Sequence, residues 1–331
     1  MFIVHDVSFA ILLCVITMLG WGSWANTQKL AGKAHWPFQL YYWDYAIGVL
    51  LFAILFALTA GSMGTEGQTA MANLSAASGA SLGTALFSGA LFNLSNVLLV
   101  VAIDAAGMSV AFPLGVGLAL VIGTVTSYFE APHGNPVYLS AGVLLVVLAM
   151  LFSAVASAQL QRGQKSGGLR GIVFSIAAGC LMGLFYSQLI SSISPDFNHT
   201  PIAAGKLTPY TAAVLFALGL FLSNFVINSV FIRLAGLSYA EYFKGSFRLH
   251  SVGILGGAIW MLALCVNVIA SGIAGPAVSY ALGQGATLVA AIWGVFIWHE
   301  FRGGTRSSYI LISLMFACYA LGLLLVGLAI L

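Results

Sequence analysis

One acidic residue, Asp44, lies well inside an apolar stretch of this sequence, in the segment YYWDYAIG. A carboxylate among apolar residues is costly unless it is paired with a cation or can bind a proton. Two interpretations therefore remain open. Asp44 could bind and release protons as part of the protein's function, which is proton coupling. Alternatively, it could form a static ion pair with Lys29 or Lys33.

Two pairs of asparagines lie at helical spacing within other apolar stretches. Asn93 and Asn96 are three residues apart, and Asn224 and Asn228 are four apart. An amide that faces lipid has no hydrogen-bond partner, so these side chains should face the interior of a helical bundle or a wet cavity. Hydrogen bonding between helices would explain them, and so would the binding of a neutral polar solute.

Tryptophan residues accompany these polar groups. Trp rings can stack on the C–H faces of a sugar or on a planar heterocycle, and amides supply directional hydrogen bonds. For Trp21 and Trp24, an aromatic belt at the membrane surface is the alternative. The sequence predicts a solute site, with one cavity shared by Asn93, Asn96, Trp260 and Gln284. The predicted substrate-binding residues are Trp21, Trp24, Asn93, Asn96, Trp260, Gln284 and Thr287.

The composition indicates which elements must position these residues. Of 331 residues, 61% are hydrophobic and 6% are charged, against about 25% charged in a typical soluble domain. Such a chain cannot cover a water-exposed surface with polar groups, whereas a bilayer removes that need. The four cysteines are isolated, and the sequence contains neither an HExxH motif nor a Walker A loop. We therefore expect no metal site, no cofactor and, at a net charge of +3, no nucleic-acid partner.

Ten apolar stretches are long enough to span a membrane, since a spanning helix needs about 20 residues. The breaks between them fall at polar or Gly- and Pro-containing segments such as APHGNP and SPDFNHTP. The predicted fold class is an all-α integral membrane protein with ten transmembrane helices. The predicted spans are 7–27, 39–60, 80–103, 108–129, 137–158, 171–191, 209–232, 250–271, 276–298 and 308–330.

Charge is unevenly distributed between the two sets of loops. Ten basic residues, among them Arg162 and Lys165, lie in loops on one face, and Lys206 alone lies on the other. The positive-inside rule makes the basic face cytoplasmic and places both termini outside the cytoplasm. We expect a multi-pass protein of the cell (inner) membrane.

The two halves of the chain resemble each other at a constant offset of 168 residues. Gly89 corresponds to Gly257 and Gly107 to Gly275, and LGVGLALV at 114–121 falls on LGQGATLV at 282–289. Chance similarity between Gly-rich helices is the alternative.

Each repeat contains five helices, which is an odd number, so the second repeat enters the membrane from the side opposite to the first. Inverted repeats place a solute site near the membrane midplane and permit alternating access. The predicted division is a first repeat at 1–160, a short linker at 161–170 and a second repeat at 171–331.

Four segments carry a family resemblance: GWGSWANTQKL, YYWDYAIG, AGMSVAFPLGVGLALVIGTVTSYF and AAIWGVFIWHEFRGGTRSSYILIS. They resemble the drug/metabolite transporter superfamily, in particular the branch of plant ureide permeases, bacterial glucose/ribose porters and rhamnose–proton symporters. The resemblance implies a ten-helix inverted-repeat fold and proton-linked uptake of a small polar solute. Asp44 and Asn96 match positions characteristic of that branch. Plant ureide permeases carry a long central loop that this chain lacks, which weakens the transfer of ureide specificity.

The sequence thus predicts a secondary active transporter that takes up a small neutral polar solute with protons. A sugar is the favoured solute, and a ureide or nucleobase is the next choice. Export of metabolites or drugs is the alternative within transport, and an integral-membrane enzyme or a structural subunit lies outside it. An enzyme would need clustered His, Asp or Glu at helix ends, which the sequence lacks. The expected partners are the solute, protons and lipid, for a monomer or homodimer.

Overall fold

A computed structural model of the chain describes residues 1–106, 108–160, 169–199 and 201–330. Three features of the sequence analysis lie outside these residues. They are the correspondence of Gly107, most of the 161–170 linker, and the basic residues Arg162 and Lys165.

Helices account for nearly all of the regular structure in the described ranges, with one isolated parallel bridge between Ile193 and Leu207. A π-helical turn at Trp293–Ile297 follows the helix Ala286–Ile292. The helices are α1 (Val7–Ser23), α2 (Ala25–Lys33), α3 (Phe38–Leu58), α4 (Ala70–Ala76), α5 (Gly79–Ala106), α6 (Met108–Glu130), α7 (Pro136–Leu160), α8 (Leu169–Ser192), α9 (Pro209–Leu234), α10 (Tyr239–Tyr242), α11 (Phe247–Ala274), α12 (Pro276–Gly283), α13 (Ala286–Ile292) and α14 (Arg306–Leu328).

Nine helical stretches in the described part of the chain are long and apolar enough to cross a membrane. A further apolar helix, Leu114–Glu130, is shorter and lies within the predicted fourth span. The chain is therefore an all-helical membrane protein. The count of ten spans stays a prediction.

Two of the predicted spans are interrupted. The first is divided at Trp24, between α1 and α2. The ninth is divided at Gln284 and Gly285, between α12 and α13. Glycine has low helix propensity, and Gly283 and Gly285 flank the second break. The residues at both breaks keep right-handed helical backbone angles, so each break is a local turn within a continuing span.

The chain forms two compact units. The first unit contains Met1–Asn93 and Gln188–Ile273, and the second contains Leu94–Ser187 and Ala274–Leu331. Each unit thus combines a segment from the first half of the sequence with one from the second half. This division differs in kind from the repeats at 1–160 and 171–331, which rest on sequence similarity and stay a prediction.

In the first unit, α3 and α11 touch backbone to backbone. A Cβ atom added to Gly48 in α3 would overlap the carbonyl oxygen of Ile254 in α11. A Cβ atom added to Gly257 in α11 would likewise overlap the carbonyl oxygen of Tyr45 in α3. Small residues at such crossings allow membrane helices to approach closely.

A second reciprocal contact joins α5 and α9 in the same unit. A Cβ atom on Gly89 in α5 would overlap the carbonyl oxygen of Phe216, and one on Gly219 in α9 would overlap that of Leu86. The residues of this second contact are related to those of the first contact by constant differences in residue number. The α9 residues lie 171 positions after Gly48 and Tyr45, and the α11 residues lie 168 positions after those of α5.

Gly219→Ala is expected to lower the midpoint of thermal unfolding, because the new methyl group meets backbone that cannot move aside. Overpacking of this kind costs about 1–3 kcal/mol. Gly83→Ala is the matched control, because a Cβ there meets nothing within 4 Å and alanine has the higher helix propensity. Tryptophan fluorescence of purified protein measures both variants. Equal midpoints for the two variants would contradict the close approach of α5 and α9.

Candidate functional site

Asp44 lies two turns into α3, and its side chain is 1% exposed. Its carboxylate has partners on two other elements of the first unit. Nδ1 of His250, in the first turn of α11, lies 2.8 Å from Oδ1 and 3.0 Å from Oδ2. The hydroxyl of Tyr242, at the end of α10, donates to Oδ1 at 2.7 Å. The ion pair that the structure gives Asp44 is therefore with His250, whenever that ring is protonated.

Local features of the chain bring these groups together. A capping box between Ser238 and Glu241 starts α10 and so sets the position of Tyr242. Gly253 lies one turn after His250 in α11, and a Cβ atom there would overlap that of Asp44. Glycine at this position therefore allows α11 to approach α3 closely enough for the ion pair to form.

Aromatic rings surround the pair. The Trp36 ring meets the His250 ring edge-on at 5.6 Å between centroids, and the Tyr242 ring lies 4.8 Å from His250. Burial, together with the neighbouring Asp44 carboxylate, raises the pKa of the Tyr242 phenol, so Tyr242 stays a neutral donor. The His250 side chain is 22% exposed. A partly exposed histidine on a buried carboxylate can pass a proton between solvent and the protein interior.

Sequence reasoning singled out Asp44 but missed its partners. One signal was available for His250, which is the only histidine inside any of the ten predicted spans. Tyr242 and Trp36 lie in loop segments and carried no comparable signal. The alternative pairing of Asp44 with Lys29 or Lys33 involved residues close in sequence, whereas His250 is 206 positions away.

Trp260, in α11, is 5% exposed and packs within a cluster of aromatic rings. Its neighbours, with centroid distances, are Phe92 at 4.3 Å, Phe216 at 5.8 Å, Trp21 at 6.0 Å and Tyr45 at 6.4 Å. The structure thus brings together two of the predicted binding residues, Trp21 and Trp260. Stacking of a solute on Trp260 would require these rings to separate.

Trp24 lies at the break between α1 and α2, and its ring packs 5.1 Å from that of Tyr45. Trp24 is half-buried, while Tyr45 is fully buried. Trp24 therefore contacts the interior of the first unit rather than lying free of it.

Asn93, in α5, is fully buried against α9. Its Nδ2 atom donates to Oγ of Ser223 at 2.8 Å and to the carbonyl oxygen of Leu220 at 3.3 Å. Its Oδ1 atom has no hydrogen-bond partner among the residues that the structure describes. Contacts between helices therefore use the Nδ2 atom of this amide and leave its Oδ1 atom able to accept a hydrogen bond from a solute.

The remaining predicted binding residues belong to the second unit. Asn96 is buried in α5. Gln284 is half-buried at the break between α12 and α13. The hydroxyl of Thr287 donates a hydrogen bond to the backbone carbonyl oxygen of Gln284 at 2.8 Å. The cavity predicted to join the asparagines, Trp260 and Gln284 stays a prediction.

The described residues contain no cluster of side chains that could bind a metal ion. No three His, Cys, Asp or Glu side chains there lie close enough together to hold a metal ion. The four cysteines are free thiols.

Comparison with known proteins gives full-length matches to permeases. The chain is 24% identical to Ureide permease 1 of Arabidopsis thaliana over 372 residues, covering 95% of each protein. It is 24% identical to Ureide permease 2 over 383 residues, again with 95% of each covered, and 23% identical to Ureide permease 4 over 389 residues, with 96% of each covered, both from the same plant. No family model matches the chain.

The fold is also similar to that of a protein solved by crystallography. The TM-score is 0.57 at 16% identity, over 95% of this chain and 96% of the other. Together with the apolar helices, the full-length matches support a multi-pass membrane transporter, and relatives that are permeases argue against an enzyme. The wider superfamily and the sugar-porter branches stay predictions.

Proposed function

We propose that this transporter is a secondary active importer of a small neutral solute of the ureide class, driven by protons across the cell membrane. The observation that carries the proposal is the Asp44 carboxylate, buried inside a membrane helix and held by His250. The solute class rests on the full-length similarity to three ureide permeases.

The geometry around Asp44 suggests how a proton could drive movement. The ionised carboxylate accepts hydrogen bonds from Tyr242 and His250, which tie α10 and α11 to α3. A proton on the carboxylate removes its charge and turns one of its oxygens into a donor. The contact with the histidine then weakens, so proton binding favours release of the start of α11 from α3. A ligand or proton shifts a conformational equilibrium through such differential contacts.

The reciprocal glycine contacts support the inverted repeat that alternating access requires. The contact of α3 with α11 and the contact of α5 with α9 involve positions related by offsets of 171 and 168 residues. A repeat in which α3 corresponds to α9 and α5 to α11 would produce this pairing. Ten helices with both termini outside the cytoplasm complete the proposed topology.

We place ureides ahead of the sugar that the sequence analysis favoured. The three permeases it resembles are named for ureides. Nucleobases remain the second choice, because many of them present the same ring amide groups as cyclic ureides.

Uptake into vesicles that contain the purified transporter tests this function. With an acidic exterior, allantoin, a cyclic ureide, is expected to accumulate above its external concentration, and a protonophore should abolish the accumulation. Glucose and uracil, supplied in parallel, report on the other solute classes. Accumulation of glucose without allantoin, or allantoin movement that ignores the proton gradient, would contradict the proposal.

A further inference from the structure

Asn224, in α9, is a buried amide that finds no hydrogen-bond partner in the described part of the chain. The residue is fully buried, and in the described structure neither its Oδ1 nor its Nδ2 atom makes a hydrogen bond. Burying an unpaired amide costs on the order of 1–3 kcal/mol. Native proteins pair nearly all such groups, so a doubly unpaired amide needs an explanation.

Neighbouring contacts place Asn224 between α3 and α5. Asn228, one turn further along α9, donates from Nδ2 to the carbonyl oxygen of Gln39 in α3 at 2.9 Å. On the other side, Asn93 of α5 bonds to Ser223 and Leu220 of α9. Residues four apart share a helix face, so Asn224 lies on the side of α9 that faces α3.

Two acceptors lie close by on the same group of helices. Oδ1 of Asn93 and Oδ1 of Asn228 are buried and also lack partners within the described ranges. In each case the Nδ2 atom of the same side chain is bonded to protein, which fixes the orientation of the amide. The first unit therefore contains three neighbouring amides whose unused atoms comprise three acceptors and one donor.

We propose that Asn224 binds the ring amide of a cyclic ureide, with Oδ1 of Asn93 and of Asn228 accepting from further N–H groups of the same solute. This assignment rests on the proposed function and names residues for it. A cyclic ureide holds C=O and N–H on the same side of the ring amide. A carboxamide side chain can pair with that edge through two parallel hydrogen bonds, one donated and one accepted.

The same chemistry discriminates between solutes. A sugar hydroxyl can donate and accept, but a sugar has no flat edge with a fixed donor beside a fixed acceptor. A site built to pair with particular polar groups rejects analogues that lack them, because its own buried groups are then left unpaired. Asn224 accordingly favours ureides and other ring amides over sugars.

Burial of Asn224 corresponds to a closed conformation of the first unit. A solute can reach the amide when α3 moves away from α9 while the close contact of α5 with α9 is kept, and alternating access supplies movement of one group of helices against another. The unpaired amide in the closed, solute-free protein is then a stability cost that is retained for binding.

This view predicts opposite effects of one substitution at two asparagines. Leucine has the same number and branching of side-chain heavy atoms as asparagine, so Asn224→Leu removes an unpaired amide and should leave the unfolding midpoint unchanged or raise it, and the larger volume of leucine is shared by the control variant below. The same variant should bind allantoin about tenfold or more weakly. Asn73→Leu is the matched control in the first unit, because Asn73 is buried and fully paired with Gln68, Lys206 and Thr208. It should lower the midpoint and keep wild-type affinity.

Thermal unfolding and equilibrium binding of allantoin to the purified full-length protein measure both effects. If Asn224→Leu binds allantoin as wild type does, or is destabilised as much as Asn73→Leu, the assignment of Asn224 is wrong. If the wild type itself binds no allantoin, the proposed solute class fails, and this inference fails with it. Weak binding by a stable Asn224→Leu variant beside normal binding by Asn73→Leu supports the assignment.

Discussion

Asp44→Asn is expected to abolish proton-driven accumulation of solute while leaving exchange of solute across the vesicle membrane largely intact. Asparagine keeps the size of the side chain and can still accept the hydrogen bond from Tyr242. It cannot take up or release a proton, so the proposed link between proton movement and the conformational change is lost. In vesicles with a pH gradient, the ratio of internal to external allantoin should fall to about one, its value at equilibrium for a neutral solute without coupling.

Asp6→Asn is the matched control for this substitution. Asp6 is exposed and caps α1 by accepting a hydrogen bond from the Phe9 N–H, a role that asparagine performs equally well. This variant should accumulate solute as wild type does. A static role for Asp44 predicts a different result, namely poor folding and loss of both accumulation and exchange. Full accumulation by Asp44→Asn would exclude Asp44 as the coupling residue.

His250→Gln is expected to produce a large loss of stability that depends on Asp44. When the His250 ring is protonated, removing it from the buried ion pair leaves the Asp44 charge unpaired in a poorly solvated site. A fully buried pair loses about 3–5 kcal/mol in this way, and we expect roughly 3 kcal/mol here because His250 is 22% exposed. In the Asp44→Asn background the same substitution should cost less than about 1 kcal/mol, since no buried charge remains.

Equilibrium unfolding of the wild type, both single variants and the double variant measures this coupling. The exposed pair of His5 with Glu66 is the control, because the side chains are 64% and 55% exposed. His5→Gln should cost no more than about 1 kcal/mol. An equal cost of His250→Gln in the presence and absence of the Asp44 carboxylate would mean that the pair is not coupled. His250→Gln should also alter the dependence of accumulation on external pH, which a purely structural role would leave unchanged.

Fold class was accessible from the sequence because its cause is local. A spanning helix satisfies all of its backbone hydrogen bonds internally, so a long apolar stretch predicts a helix without knowledge of its neighbours. Nine of the predicted spans are matched by long apolar helices in the described structure. The breaks at Trp24 and Gln284 were not predicted, because a short break in a helix leaves the apolar stretch of sequence continuous, and a continuous apolar stretch predicts one span.

In the candidate site, too, one residue could be predicted from its local sequence and its partners could not. Asp44 was visible in the sequence, since a charge inside an apolar stretch is anomalous whatever surrounds it. Its partners were not, because His250 and Tyr242 lie 206 and 198 positions away and reach Asp44 only through the packing of α3 against α11.

Asn73 and Asn224 illustrate the limit most directly. In the sequence, each is an asparagine among small and apolar residues, although Asn224 also has Asn228 four positions further on. In the tertiary structure, Asn73 is fully paired, while Asn224 is unpaired at both ends in the described part of the chain. Residue type determines which hydrogen bonds an amide can make. Only the neighbours that folding brings to it decide which of those bonds are made, and therefore which amide is free to bind a solute.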